Sequence, residues 1–161
     1  MLPIAALFLG GSIHLDHAKS TQFCLSCHPM APYGKSLRID DPEYLPAQHY
    51  QNNRIPKEQA CFTCHTDYTM FGDVNAKLRG LKHLYVYFFE PIPQQLSLYQ
   101  PFNNRECLYC HANARSFEET SPHEDIREQL ATNEMSCLSC HNKSHEADNI
   151  DNVKLWKGPG T

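Results

Sequence analysis

The clearest periodic pattern in this 161-residue chain is helical. Val74, Leu78, Leu81, Tyr85 and Phe88 recur in steps of 4, 3, 4 and 3, which predicts a helix over about Val74 to Phe89 with one apolar face. Lys77, Arg79 and Lys82 lie on its other faces, and Pro91 and Pro93 end it, because proline cannot continue the amide ladder. A second helix is predicted from Ser121-Pro122-His123-Glu124, which reads as an N-cap serine, proline at the first turn and a glutamate closing a capping box. Ile126 and Leu130 give that helix its apolar stripe. At the N-terminus, Leu2 to Ile13 is an apolar run broken only by small residues and one serine. It is shorter than the roughly 20 residues of a membrane span. It has the length of a signal-peptide core, but no Lys or Arg precedes it and no clear cleavage pattern follows. It is read as signal-like or as the end of a membrane anchor.

Composition narrows the picture. The size suits one domain, or one domain plus an anchor. The chain has few Val and Ile with which to build a core, and eleven prolines against seven glycines discourage long regular elements. A formal charge of -4 leaves no basic footprint, so no nucleic acid partner is expected. What stands out is eight cysteines and ten histidines.

One motif uses every cysteine. It occurs as Cys24-Leu-Ser-Cys27-His28, Cys61-Phe-Thr-Cys64-His65, Cys107-Leu-Tyr-Cys110-His111 and Cys137-Leu-Ser-Cys140-His141. C-x-x-C-H is the attachment signature of c-type haem. Two thiols add across the two vinyl groups of one porphyrin, and the next residue presents an imidazole to the iron; positions i, i+3 and i+4 share a helix face. A thioredoxin-type dithiol, a zinc ribbon or a disulfide framework would not need a histidine after every second cysteine. The first cysteines are also 37, 46 and 30 residues apart, wider than zinc-ribbon spacing. Four covalent c-type haems are therefore expected. At about 40 residues per haem, they are expected to form the core of a mainly α fold with extensive loops and little or no β-sheet.

Setting aside the proximal ligands His28, His65, His111 and His141 leaves His14, His17, His49, His83, His123 and His145. That is enough for a second imidazole at every iron, the usual ligation of low-potential electron-transfer haems. His145 lies four residues after His141, one turn further on the same face if the helix continues. It cannot reach the far side of the haem that His141 ligates, so as a ligand it must serve another. His123, on a first helical turn, is placed rigidly enough to be one. The aromatic run Tyr85 to Phe89 suits haem packing or, alternatively, a membrane-interface belt. The expected layout is an N-terminal apolar segment over 1–19, a tetrahaem domain over 20–148 and a tail over 149–161. Covalent haem attachment implies an extracytoplasmic location, at the periplasmic face of a membrane or alternatively at the cell surface or beyond it.

Longer stretches resemble the NapC/NirT/NrfH-type family of tetrahaem, membrane-anchored quinol dehydrogenases. Phe23-Cys-Leu-Ser-Cys-His28-Pro-Met30 is similar to the family's first motif. His49-Tyr-Gln-Asn52 before Cys61 is similar to its H-x-x-N segment. Arg105 to His111 and Met135 to His145 are similar to its third and fourth motifs. The likeness covers residues from about 20 to 148. It implies electron transfer from a membrane quinol, menaquinol or ubiquinol, to a periplasmic or extracellular redox protein. It also implies Met30 as a candidate ligand of the first haem, His49 and His145 as distal ligands of inner haems, and Lys77, with Lys82, near a quinol site. Where the family places an acidic residue beside the first haem, this chain has His83. A His83 bonded to that iron would close it.

No catalytic side chain is nominated, because haems carry the redox chemistry and the protein sets spacing and ligation. Whether the chain is an enzyme turns on the quinol step. Two other classes compete with a quinol-to-periplasm relay. One is the subunit of an extracellular cytochrome filament, in which His14 and His17 ligate a haem of the next copy in a head-to-tail homo-oligomer. The other is a small multihaem reductase with one open iron.

Overall fold

The computed structural model describes residues 2–93, 96–98, 101–145 and 150–158, with the backbone alone over 2–9. The described residues are mainly helical and contain no strand; one isolated antiparallel bridge pairs Ile39 with Leu155. The α-helices are α1 (Leu2–His17), α2 (Thr21–Leu25), α3 (Ala31–Ser36), α4 (Leu45–Gln51), α5 (Ala60–His65), α6 (Gly72–Phe89), α7 (Asn104–His111), α8 (Arg115–Glu118), α9 (Ser121–Glu124) and α10 (Arg127–Ala131). Short 3-10 turns cover His28–Met30, Lys57–Gln59 and Cys137–Ser139. Among the described residues no helix is long and apolar enough to cross a membrane.

The chain forms two units. One holds Met1–Thr63 with Lys143–Thr161, the other Cys64–Asn142, and the division falls within α5. The first unit has a small core of Ile39, Tyr44, Ala47 and Ile150, flanked by Val153. Residues 150–158, set apart by sequence as a tail, build part of that core. They are pinned by amide bonds from Asp40 to the Lys154 carbonyl (2.9 Å) and from Trp156 to the Arg38 carbonyl (2.6 Å). Helix α4 ends in a Schellman turn. Asn53 takes a positive φ of 53°, the Arg54 amide reaches the His49 carbonyl at 2.8 Å, and the Asn53 amide reaches that of Tyr50 at 3.3 Å. Asparagine tolerates that left-handed conformation better than most side chains do.

In the second unit, α6 begins two residues before the predicted start and ends at the predicted Phe89. Its start is set by a close approach: a Cβ on Gly72 would overlap the Asp67 carbonyl oxygen, so only glycine fits. Asp67, 6% exposed, accepts from the Thr69 amide (3.1 Å) and from Arg105 (3.2 Å), and Arg79 lies 3.6 Å away. Buried Asn104, at the start of α7, is bonded on every side. Its amide reaches Asn133 Oδ1 at 2.7 Å. Its Nδ2 donates to the carbonyls of Leu130 (2.8 Å) and Met135 (2.6 Å), and its Oδ1 accepts the Cys137 amide at 2.8 Å.

Two sequence expectations are corrected here. The helix at Ser121 caps on Thr120, not Ser121, and no side-chain cap bond forms, because the Thr120 hydroxyl turns back to the Ser116 carbonyl at 2.5 Å. It also stops after Glu124, and Ile126, with φ -118°, starts the separate α10. Nor does a helix run from His141 to His145. The 3-10 turn ends at Ser139, and the chain passes from the second unit into the first between Asn142 and Lys143.

Candidate haem-binding sites

The four C-x-x-C-H motifs take two local forms. The second lies wholly on α5, and the third wholly on α7 with Asn103 capping that helix through the Arg105 amide. In these two, the thiols and the imidazole share one helix face. The first motif instead splits. Cys24 lies on the last turn of α2, Cys27 is extended (ψ 124°), and His28 opens a 3-10 turn. The break falls at Cys27, just before a turn that holds Pro29, which has no N–H and whose ring would clash with the carbonyl four residues back in a continuous helix. The fourth motif is a 3-10 turn capped by Ser136, with Cys140 at its end and His141 after it. No disulfide joins any of the eight cysteines.

Within the first unit, Thr21 joins the first motif to the second. Its hydroxyl donates to the Lys57 carbonyl at 2.9 Å and accepts the Ala60 amide at 2.8 Å, setting α2 beside the start of α5 and Cys61. The Lys19 ammonium lies over the Phe62 ring, 5.1 Å from its centroid. Met30 closes the 3-10 turn that begins at His28, its amide bonded to the Cys27 carbonyl at 2.9 Å. His14 and His17 lie exposed on the last turns of α1, the His17 ring edge-on to Phe23 at 5.7 Å.

Three of the histidines proposed as distal ligands carry a structural signature that sequence could not supply. His49 Nδ1 lies 2.8 Å from the Leu45 carbonyl, and His123 Nδ1 lies 3.3 Å from the Phe117 carbonyl. A carbonyl only accepts, so the proton sits on Nδ1 in both rings and the lone pair on Nε2. Buried Ser36 does the same for His145. Its hydroxyl donates to the Tyr33 carbonyl at 2.6 Å, and its oxygen, 2.8 Å from His145 Nδ1, accepts that ring's proton. Metal-bound imidazoles are oriented in this way, with the far nitrogen held by a backbone carbonyl or another acceptor.

In the second unit, thiols of three motifs crowd together. Burial and nearby Cys110 push the Cys64 thiol up. A hydrogen bond between the Cys107 and Cys137 thiols raises the first and lowers the second. Tyr68 stacks on Tyr109 with centroids 4.0 Å apart, and burial beside Cys110 and Cys64 pushes its hydroxyl up to about 12. His65 keeps a solvent-reachable edge, yet the protein mass around it and neighbouring His83 both disfavour its charged form. Among the described residues, His83 thus lies within electrostatic reach of the second motif's histidine.

His123 faces His141 with ring centroids 6.2 Å apart. A metal–imidazole bond is about 2 Å and a ring nitrogen lies about 1.1 Å from its centroid, so two imidazoles sharing one metal have centroids about 6.2 Å apart. Lys77 is half-buried and Lys82 exposed on α6.

This donor set fits haem. Paired thiols followed by an imidazole match two vinyl groups and one axial position. The described residues also bury few large apolar side chains, while Met70, Leu78, Phe88 and Phe89 stay mostly exposed, which leaves ample apolar surface for flat plates. Among the described residues, no three His, Cys, Asp or Glu side chains cluster to hold a bare metal ion. Ser36, Asn104 and the Leu45 and Phe117 carbonyls escaped sequence reasoning. Each acts across a fold contact or through the backbone, and no local pattern marks them.

Comparison with known proteins agrees with this chemistry. Residues 2–149 match the family model described as "NapC/NirT cytochrome c family, N-terminal region". The chain is 26% identical over 153 residues to the cytochrome c-type protein NapC of Escherichia coli K12, covering 84% of this chain and 72% of that one. It is 22% identical to NapC of Haemophilus influenzae, covering 91% and 78%. It is 24% identical to the cytochrome c-type protein TorC of Escherichia coli K12, covering 84% of this chain but 37% of TorC. No solved structure matches.

Proposed function

The chain belongs to the NapC/NirT cytochrome c family, and on that premise we propose that it is a tetrahaem electron carrier that accepts electrons from membrane quinol and passes them to an extracytoplasmic redox protein. The observation that carries the reading is the set of four C-x-x-C-H motifs together with three spare histidines whose Nδ1 protons are already held.

Each bound haem supplies a one-electron iron centre whose potential follows its axial ligands and burial. The protein's share is attachment and orientation. Cys24 with Cys27, Cys61 with Cys64, Cys107 with Cys110 and Cys137 with Cys140 anchor the four groups, and His28, His65, His111 and His141 bind from the same segments. His123 and His141, with ring centroids 6.2 Å apart, would together hold the fourth haem's iron. His83, within electrostatic reach of His65, is a candidate second ligand at the first or the second haem. His49 and His145 present Nε2 to irons of their own. Met30 is the alternative to a histidine at the first haem, with Lys77 and Lys82 offered to the quinol.

The test uses the holo-protein in membranes. A pyridine haemochrome assay is expected to return four haems per chain, and a menaquinol analogue is expected to reduce them. A ratio well below four removes the tetrahaem reading. Four haems that stay oxidised remove the quinol step and leave the carrier.

A further inference from the structure

Helix α4 has no cap of its own. Tyr44 at its N-cap makes no side-chain cap bond, and Pro46 in its first turn has no N–H to satisfy. The orphan donor at the first helical position, the Leu45 amide, is taken instead by the Lys143 carbonyl at 2.9 Å. Two charged contacts hold that distant segment in place. Lys143 Nζ lies 3.1 Å from Asp41 Oδ2, 102 positions away, and 2.7 Å from Glu43 Oε2. Asp41 is used twice, because its other oxygen accepts the Glu43 amide at 2.8 Å and shapes the turn that leads into α4. All of these residues belong to the first unit.

Two histidines depend on this junction. Leu45, whose amide Lys143 caps, holds the His49 Nδ1 proton through its carbonyl at 2.8 Å. His145 follows Lys143 by two residues, and Ser36 holds its Nδ1 proton at 2.8 Å. Given His49 and His145 as ligands of two different irons, which belongs to the function proposed above, we propose that Lys143 and Asp41 are positioning residues for both, a single clamp that keeps the two rings in place together. Freed from Asp41 and Glu43, the 143–145 segment withdraws its carbonyl from the Leu45 amide, the first turn of α4 frays, and the Leu45 carbonyl no longer fixes His49. The same release lets His145 swing away from Ser36. The Lys143 side chain is 41% exposed and that of Asp41 33%, so the clamp tunes ligation and does not create it.

The experiment follows carbon monoxide binding to the dithionite-reduced holo-protein by stopped flow. A ring must leave its iron before the gas binds, so each rate reports how firmly one ring is held. His49→Ala and His145→Ala proteins are each expected to bind at one haem at once, which marks the two sites. Lys143→Met is expected to quicken binding about fivefold at both of those sites and at no other. In His145→Ala/Lys143→Met protein one site is already open, so the quickening is expected at the His49 site alone. Lys143→Arg, which keeps the cation, is expected to stay within about twofold of wild type. If Lys143→Met protein does not take up its full haem complement, Asp41→Asn, which keeps the turn's acceptor oxygen, replaces it, with the same two sites expected to quicken. Quickening at the His145 site alone overturns the shared clamp, as does quickening at neither site. Equal quickening of every haem, which is general loosening, overturns it too. His49→Ala and His145→Ala proteins that bind no carbon monoxide fail differently: they remove the ligand assignment, and the clamp with it.

Discussion

Ser36 Oγ and His145 Nδ1 stand 2.8 Å apart, although 109 positions separate them in the chain. The hydroxyl proton is committed to the Tyr33 carbonyl, so His145 donates and its Nε2 carries the lone pair. Removing such a partner weakens a metal–imidazole bond by about 10- to 100-fold. Ser36→Ala is therefore expected to keep the full haem content while one reduced haem begins to bind carbon monoxide. Ser36→Thr, which retains a hydroxyl, is expected to bind less. A Ser36→Ala difference spectrum identical to wild type, beside a His145→Ala protein that does bind, would show that the hydroxyl does not orient the ring.

His123 and His141 supply a second spectroscopic prediction. If they share one iron, His123→Ala opens a single site. A high-spin electron paramagnetic resonance signal worth one haem is expected, with carbon monoxide bound at one equivalent. His83→Ala is expected to open a different haem, so the double variant adds to two equivalents. A His123→Ala protein that stays wholly low-spin would remove the pairing.

Asn104 carries a stability prediction. Its bonds to Asn133, Leu130, Met135 and Cys137 tie the third motif's helix to the segment that leads into the fourth. Asn104→Ala keeps only the backbone amide's bond and strands buried carbonyls, a loss of about 3 kcal/mol. Asn104→Asp keeps the Cys137 contact but turns a carboxylate toward two carbonyls, and is expected to be worse. Guanidinium unfolding followed by circular dichroism measures both; an effect under about 0.5 kcal/mol, the range of an ordinary surface substitution, would contradict the role.

Asp67 makes stability depend on acid. Burial alone would push its carboxyl up, but Thr69, Arg105, Asn75 and Arg79 together hold it below the usual carboxylate range. A carboxyl lowered by folding stabilises the protein above its unfolded value of about 3.9, and that contribution is lost as pH falls through the folded value. The melting temperature of wild type is therefore expected to exceed that of Asp67→Asn at neutral pH, and the gap to close on acidification from about pH 5 downward. A gap that stays constant across that range would assign the difference to packing.

Much was legible in the chain itself. The 4, 3, 4, 3 stripe and Pro91 marked α6 to within two residues of its start and at its end, because periodicity and proline act over a single turn. The four C-x-x-C-H motifs were legible for the same reason: their spacing is a matter of five consecutive residues. Readings that failed turned on choices local patterns leave open. Ser121 looked like a cap, but the Thr120 hydroxyl's bond to Ser116 and the break at Ile126 depend on how neighbouring turns pack. Asn104 drew no notice because an asparagine beside another asparagine carries no signal until Leu130, Met135 and Cys137 surround it.

What the sequence determined by itself was what is local: four C-x-x-C-H motifs, each with its imidazole next in the chain, and the helical period of α6. Tertiary structure decided the rest. It placed the proton on Nδ1 of His145 through a serine 109 positions away, brought the His123 ring to 6.2 Å from that of His141, and set Arg79 of α6 beside Asp67. The physical reason is range. A covalent spacing or a helical period is set within a few residues, whereas a tautomer, an axial pairing and the direction a helix faces depend on groups that only folding brings within hydrogen-bond distance.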